Sequence, residues 1–338
     1  MSDSTTHTHA GRPGDPAPRP SGGTGGTARR RLGSLEVHPL CLGGNVFGWT
    51  ADRDNSFAVL DAYTAAGGNF IDTADIYSAW APGHRGGESE TVIGDWLAAR
   101  GNRSEVVIAT KVGGGYPERR GLRARAIREG AEESLARLRT DHIDLYYTHF
   151  DDPSVPVEEI ITALDGLVKA GKVREIAASN LSAERLEASL KFSDAEGLAR
   201  YVAVQPEYNL VSRDTYEGPL AEVAARHGLG AVPYFGLASG FLTGKYRPGA
   251  EVDSYRADSA AKHLETERGR RVLAALDRIT AARGVAHATV ALAWLAARPT
   301  VAAPIASARN TEQLSALLAM AELELTTDEL AELTAASA

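Results

Sequence analysis

From Leu32 onward, short and almost uninterrupted apolar runs alternate with longer stretches in which apolar residues recur every three or four positions, and the alternation repeats eight times. The runs are Val37 to Gly43, Asn69 to Thr73, Val106 to Lys111, Ile143 to His149, Val173 to Ser179, Tyr201 to Gln205, Gly230 to Tyr234 and Val301 to Ile305. They are rich in β-branched or aromatic residues and nearly continuous in apolarity, the pattern of strands covered on both faces. The longer stretches predict helices over Ser56 to Ala66, Ser89 to Ala99, Arg123 to Leu138, Val157 to Ala170 and Ala183 to Leu190. Gly67-Gly68, Gly101 and Gly171 supply stops where a left-handed residue closes a helix. Eight alternations predict an α/β fold, a single (β/α)8 TIM barrel.

Four features lie outside the regular repeat. Arg31 to Glu36 carries a Gly-Ser turn between short runs and predicts a β-hairpin that plugs the N-terminal end of the barrel. Ala238 to about Lys262 exceeds a minimum connection, as binding loops do. His263 to Arg298 predicts an extra helix pair near the C-terminus. Residues 1–28 are Gly, Pro, Ser and Thr with almost nothing to bury, so they read as a disordered tail ahead of a barrel over 29–338.

Composition narrows the setting. The chain has 338 residues, 43% hydrophobic and 24% charged, as a globular protein with a large core does. Its formal net charge is −8, and because the first 31 residues are net basic, the barrel itself is more acidic still. Nucleic acid is therefore not an expected partner. The Arg29-Arg30-Arg31 run reads as a solvated turn. Cys41 is the single cysteine, which excludes an internal disulfide and a multi-cysteine metal cluster and fits a reducing, cytoplasmic setting. The N-terminus has no apolar signal region and no stretch reaches the roughly 20 apolar residues of a membrane span.

The chemistry sits at the ends of the runs. In a barrel of parallel strands those ends meet at one mouth, which makes neighbours of Asp72, Tyr77, Lys111, His149, Ser179, Asn180, Gln205 and Tyr234. Tyr77 is a candidate proton donor, with a reference pKa of about 10. An ammonium about 4 Å away contributes about 4 kcal/mol at an effective dielectric of 20, roughly three pKa units of acidification. Lys111 is placed to supply it, Asp72 to keep the buried lysine charged, and His149 to hydrogen bond to a substrate oxygen. Taken singly, these are a rim aromatic, a snorkelling lysine, a core histidine and a turn-capping aspartate. All four on strand ends two, three and four of one barrel make coincidence the weaker reading.

These residues and their motifs resemble the aldo-keto reductases, barrel enzymes that reduce carbonyls with a nicotinamide cofactor. The likeness runs from about Arg30 to Leu325. It rests on Asn69 to Tyr77, Gly87-Glu88-Ser89-Glu90, Ala109-Thr110-Lys111, Ile143 to His149, Ala178-Ser179-Asn180, Val204 to Asn209 and Leu237 to Tyr246. The resemblance implies a catalytic tetrad of Asp72, Tyr77, Lys111 and His149, with no metal. It implies that Ser179, Asn180 and Gln205 hold the nicotinamide carboxamide and that Tyr234 stacks on its ring. Leu237, Ser239, Gly240 and Lys245 fall in the pyrophosphate loop, while Gly44 and Asn45 complete the cofactor site. Ser307, Arg309 and Gln313 fall at the adenosine phosphate, and Arg309 is placed for a 2′-phosphate, which implies NADP(H) rather than NAD. Phe235-Gly236 stand where relatives carry Ser-Pro, and Leu317 where many carry asparagine. There is no G-x-G-x-x-G opening a βαβ unit, so a Rossmann domain is not implied.

The expected substrate is a small aldehyde or ketone, with Phe47, Trp49, Trp80, Tyr116 and Phe150 above the mouth as candidate pocket walls. The alternative is a nicotinamide-nucleotide-binding regulatory or redox-sensing subunit with slow turnover. A metal-dependent hydrolase built on His149, Asp151 and Asp152 is the third and weakest reading, since such a site needs several converging ligands.

Overall fold

The computed structural model describes residues 28–114, 121–247, 249, 252 and 257–338. The tail expected over residues 1–28, all but its last residue, and Tyr116 lie outside the described residues. Parallel strands β3 (Cys41–Gly43), β4 (Phe70–Asp72), β5 (Val107–Val112), β6 (Ile143–Thr148), β7 (Val173–Ser179), β8 (Tyr201–Gln205) and β9 (Gly230–Ala231) run in chain order around the sheet, and β10 (Ile305–Ala306) pairs back onto β3. Val301 bridges Ala231 in parallel, so the segment 301–306 touches β9 at one end and β3 at the other and closes the barrel.

The predicted hairpin forms from β1 (Arg30–Leu32) and β2 (Leu35–Val37), antiparallel with Leu32 opposite Leu35. Gly33 takes the turn at φ +58°, a left-handed conformation that a side chain disfavours. Leu32, Leu35 and Val37 are buried with Cys41, Phe70, Leu145 and Tyr147 in the cluster that fills the barrel interior. Each such side chain contributes about 1.5–3 kcal/mol, which is why the plug stays seated.

Prolines account for the strand boundaries that differ from expectation. The run Val37 to Gly43 is divided between β2 and β3 at Pro39, the run Gly230 to Tyr234 stops as β9 ahead of Pro233, and Pro304 interrupts Val301 to Ile305 so that β10 starts at its last residue. Proline lacks the N–H that a ladder needs.

Helices alternate with the strands as α1 (Arg53–Ala65), α2 (Glu88–Arg100), α3 (Ala124–Leu138), α4 (Val157–Lys169), α5 (Ala183–Glu196) and α6 (Pro219–Arg226). Asp52 and Ser182 cap α1 and α5 by accepting from the N–H groups of Asn55 and Arg185. After β9 come α7 (Ala257–Glu265), α8 (Glu267–Arg283) and α9 (His287–Ala296), so the expected helix pair is joined by a third helix packed on the 3-10 segment Ala238–Thr243. The chain ends with α10 (Thr311–Leu318) and α11 (Thr327–Ala336), the latter opened by a Thr326–Glu329 capping box. Among the described residues no single helix is long and apolar enough to cross a membrane, and no group of three or more His, Cys, Asp or Glu side chains is placed to hold a metal ion.

Candidate active site

Asp72 is the last residue of β4, and Lys111 is the fifth residue of the adjoining β5, where Asp72 lies opposite Ala109. Both side chains point to the mouth and both are buried. Lys111 Nζ donates to Asp72 Oδ2 at 2.6 Å, to Tyr77 Oη at 2.8 Å and to the Thr73 carbonyl at 2.8 Å. Three acceptors satisfy the three protons of an ammonium, so the buried charge is fully paired. Tyr77 Oη in turn donates to Asp72 Oδ2 at 3.1 Å.

The charge balance differs from the one expected for Tyr77. Burial and the adjacent Asp72 carboxylate hold the phenol well above its ordinary range. The expected acidification by about three units assumed a lone ammonium. Here the carboxylate is hydrogen-bonded to the same hydroxyl, and its negative charge offsets the positive one. Burial also pulls Lys111 below the usual lysine range, against the opposing pull of Asp72. The resting phenol therefore keeps its proton.

His149 follows β6 and is 8% exposed, its ring stacked on Phe150 with centroids 4.8 Å apart and edge-on to Tyr77 at 6.1 Å. Burial and the charge of Lys111 push its pKa well below the ordinary histidine value. The imidazole is neutral, and its Nδ1 is sealed from solvent with no hydrogen-bond partner among the described residues.

The residues expected around a carboxamide meet on the opposite rim. Ser179 Oγ donates to the Gln205 carbonyl at 2.9 Å, Asn180 Nδ2 to the His149 carbonyl at 2.9 Å, and Gln205 Nε2 to Asp72 Oδ1 at 2.9 Å. Tyr234 Oη donates to Asn180 Oδ1 at 2.8 Å. Asn180, Gln205 and Tyr234 also line a cavity of about 240 Å³, together with Glu207, Thr215 and Leu220. No member of the expected tetrad lines it.

The remaining cofactor candidates form a rim from β3 to α10. Ser307 Oγ donates to Asn45 Oδ1 at 2.6 Å, and a Cβ at Gly43 would meet that Ser307 oxygen at 2.5 Å, so glycine leaves backbone open at this point. Gly44 N–H donates to the Asp72 carbonyl at 2.7 Å. Leu237 precedes the 3-10 segment, in which Ser239 and Gly240 adopt φ +56° and +97°. Lys245 and Arg309 are exposed and have no carboxylate partner among the described residues, although the chain is acidic overall. Lys245, beside Gly240, and Arg309 are cations whose type fits the phosphates of a dinucleotide. Gln313 is occupied locally: its Oε1 accepts from Arg309 N–H at 3.0 Å, and its own N–H donates to the α10 cap Asn310 at 2.9 Å.

Of the expected substrate walls, Trp49 and Trp80 meet edge to face at 5.7 Å, and Trp80 lies 6.1 Å from the Tyr77 ring. Trp80 and Phe150 are 38% and 47% exposed. Phe47 does not line the mouth. It is fully buried in the layer between sheet and helices, bridged to Ala51. Phe235, outside the expected site, is 42% exposed, its ring 5.2 Å from that of Tyr234. Its place directly after a strand-end tyrosine was the available signal.

Comparisons with known proteins point to one family. The model of the aldo/keto reductase family matches residues 39–338. The chain is 34% identical to the norsolorinic acid reductase stcV of Emericella nidulans, over 89% of this chain and 79% of the relative. It is 34% identical to Protein tas of Escherichia coli strain K12, over 89% and 94%, and 36% identical to the uncharacterized oxidoreductase YrpG of Bacillus subtilis, over 86% and 89%. A closed barrel whose mouth joins an aspartate, a tyrosine and a lysine, matched to one family along nearly its whole length, identifies this oxidoreductase as a member of the aldo/keto reductase family.

Proposed function

We propose that the chain is an NADPH-dependent reductase of an aldehyde or ketone in which Tyr77 is the proton donor. The observation that carries this reading is the Lys111 ammonium bonded at once to Asp72 and to the Tyr77 hydroxyl. NADPH, when bound, supplies a hydride to the carbonyl carbon. Tyr77 gives its phenolic proton to the carbonyl oxygen, and Lys111 stabilises the charge left on the phenol. Neutral His149 donates a hydrogen bond to the same oxygen, and Asp72 keeps Lys111 charged.

Ser179, Asn180 and Gln205 hold the carboxamide, Tyr234 stacks on the ring, and Leu237, Ser239, Gly240, Lys245, Gly44 and Asn45 receive the diphosphate. Ser307, Arg309 and Gln313 receive the adenosine end, with Arg309 favouring a 2′-phosphate. The rings of Trp49, Trp80 and Phe150 support an apolar carbonyl substrate. Relatives named as norsolorinic acid reductases agree with a reductase reading. A cytoplasmic setting and a barrel spanning 29–338 behind a tail belong to the same reading.

Titration with NADPH and with NADH, followed by a panel of aldehydes and ketones, tests it. Tighter binding of NADPH and its carbonyl-dependent oxidation are expected. Binding without turnover across the panel would leave a nucleotide-sensing subunit, and no binding of either nucleotide would overturn the proposal.

A further inference from the structure

Ala238, Ser239 and Gly240 take left-handed backbone angles in succession, at φ +47°, +56° and +97°. Two of the three carry a Cβ, so this segment is strained, and such strain persists only where neighbouring structure holds it. Bonds within the segment supply part of the hold. Ala238 N–H donates to the Phe235 carbonyl at 2.7 Å, Gly240 N–H to the Leu237 carbonyl at 2.8 Å and Thr243 Oγ1 to the Gly240 carbonyl at 2.7 Å. Lys245 follows, its Nζ 5.1 Å from the ring centroid of buried Tyr246. A Cβ at Gly240 would come within 3.9 Å of that ammonium.

The rest of the hold comes from the extra helices. Arg247 Nε donates to the Gly244 carbonyl at 3.0 Å, while its Nη1 and Nη2 donate to Oδ2 and Oδ1 of Asp277, on α8, at 2.9 and 2.6 Å. His287, the first residue of α9, donates from Nε2 to the same Oδ1 at 2.6 Å. Its ring lies against Gly244, at φ +76°, where a Cβ would meet ring atoms at 2.8 Å. One carboxylate thus ties the loop to both helices. The Arg247 guanidinium holds Asp277 below the usual carboxylate range, so the group is ionised. The two side chains are 37% and 43% exposed, and a pair that open to water adds little to global stability. What a bidentate fork does supply is direction as well as distance.

We propose that Asp277 is a positioning residue for the cofactor: through Arg247 it fixes the Gly244 carbonyl and so holds Lys245 beside Gly240, where the diphosphate is received. The inference rests on the reading of this loop as the diphosphate site.

Asp277→Asn in the full-length protein tests it, since the amide keeps the shape and gives up the charge. Affinity for NADPH and for NADH falls by the same factor, about fivefold, as when the competent loop geometry drops to about a fifth of the population. The losses are equal because both nucleotides carry the diphosphate. At saturating NADPH kcat stays within about twofold of the wild type, and Tm within about 3 °C. Without nucleotide, amide hydrogen exchange quickens over residues 237–247 and is unchanged in the barrel strands. Arg247→Lys, which keeps the charge and loses the fork, gives the same loss of affinity. A loss confined to NADPH overturns the proposal, as does exchange that quickens through the strands together with a large fall in Tm. A wild type that binds neither nucleotide removes the diphosphate reading and the inference with it, whereas a wild type that binds both, matched by Asp277→Asn, overturns only the role of Asp277.

Discussion

Gln205 Nε2 donates to Asp72 Oδ1 at 2.9 Å, joining the last residue of β8 to the last residue of β4 across the open end of the barrel. The amide belongs to the group assigned to the carboxamide, the carboxylate to the group assigned to proton transfer. One hydrogen bond thus couples the two halves of the proposed site. Gln205→Ala should weaken NADPH binding up to about tenfold, the scale of one hydrogen bond to a neutral carboxamide. Fluorescence titration of NADPH checks this, and unchanged affinity would separate Gln205 from the cofactor.

Tyr77→Phe keeps the ring and removes the proton. Carbonyl reduction should fall by about 10² to 10⁴, with NADPH affinity within about twofold of the wild type. Steady-state rates beside a nucleotide titration measure both. A variant retaining half its activity would take Tyr77 out of the mechanism.

Lys111 and Asp72 are both buried, so removing one strands the other. Lys111→Met alone should cost about 3–5 kcal/mol of stability, and adding Asp72→Asn should recover most of it without restoring activity. Denaturant unfolding of the two single variants and the double variant provides the cycle. Additive losses would mean that the pair is not coupled.

Histidine 149 gives a pH prediction whose sign follows from its depressed pKa. A histidine held neutral in the fold contributes stability that is fully present above its unfolded pKa of about 6.5 and is lost as pH falls below that value toward the folded pKa. Tm should therefore drop between pH 7 and pH 5, and drop less in His149→Gln. Equal slopes in the two proteins would contradict the burial argument.

Arg309 is exposed and has no carboxylate partner among the described residues. Arg309→Ala should lower NADPH affinity by about tenfold or more while leaving NADH affinity nearly unchanged, since only NADPH carries the 2′-phosphate. Parallel titrations decide it; equal losses for both nucleotides would assign Arg309 to general electrostatics.

The barrel was legible because its strands are covered on both faces and so stand out as apolar runs between helical periods. Asp72 and Lys111 were legible as polar residues at the ends of such runs, and β4 and β5 pair as consecutive strands should. The breaks at Pro39, Pro233 and Pro304 were written in the sequence too, but hydrophobicity outweighed them in setting strand limits. Phe47 was misjudged because a phenylalanine in a rim loop and one buried beneath it look alike in one dimension.

What the chain alone determined is the order of apolar and polar segments, and with it the eight-fold alternation and the set of side chains brought to one end. Local sequence can do this because strand and helix periods are properties of neighbouring residues. Only the tertiary structure decided the charge state of Tyr77 and the bond from Gln205 to Asp72. Both depend on distances between residues far apart in the chain: a carboxylate 3.1 Å from the phenol offsets the acidification that the ammonium at 2.8 Å would by itself have produced.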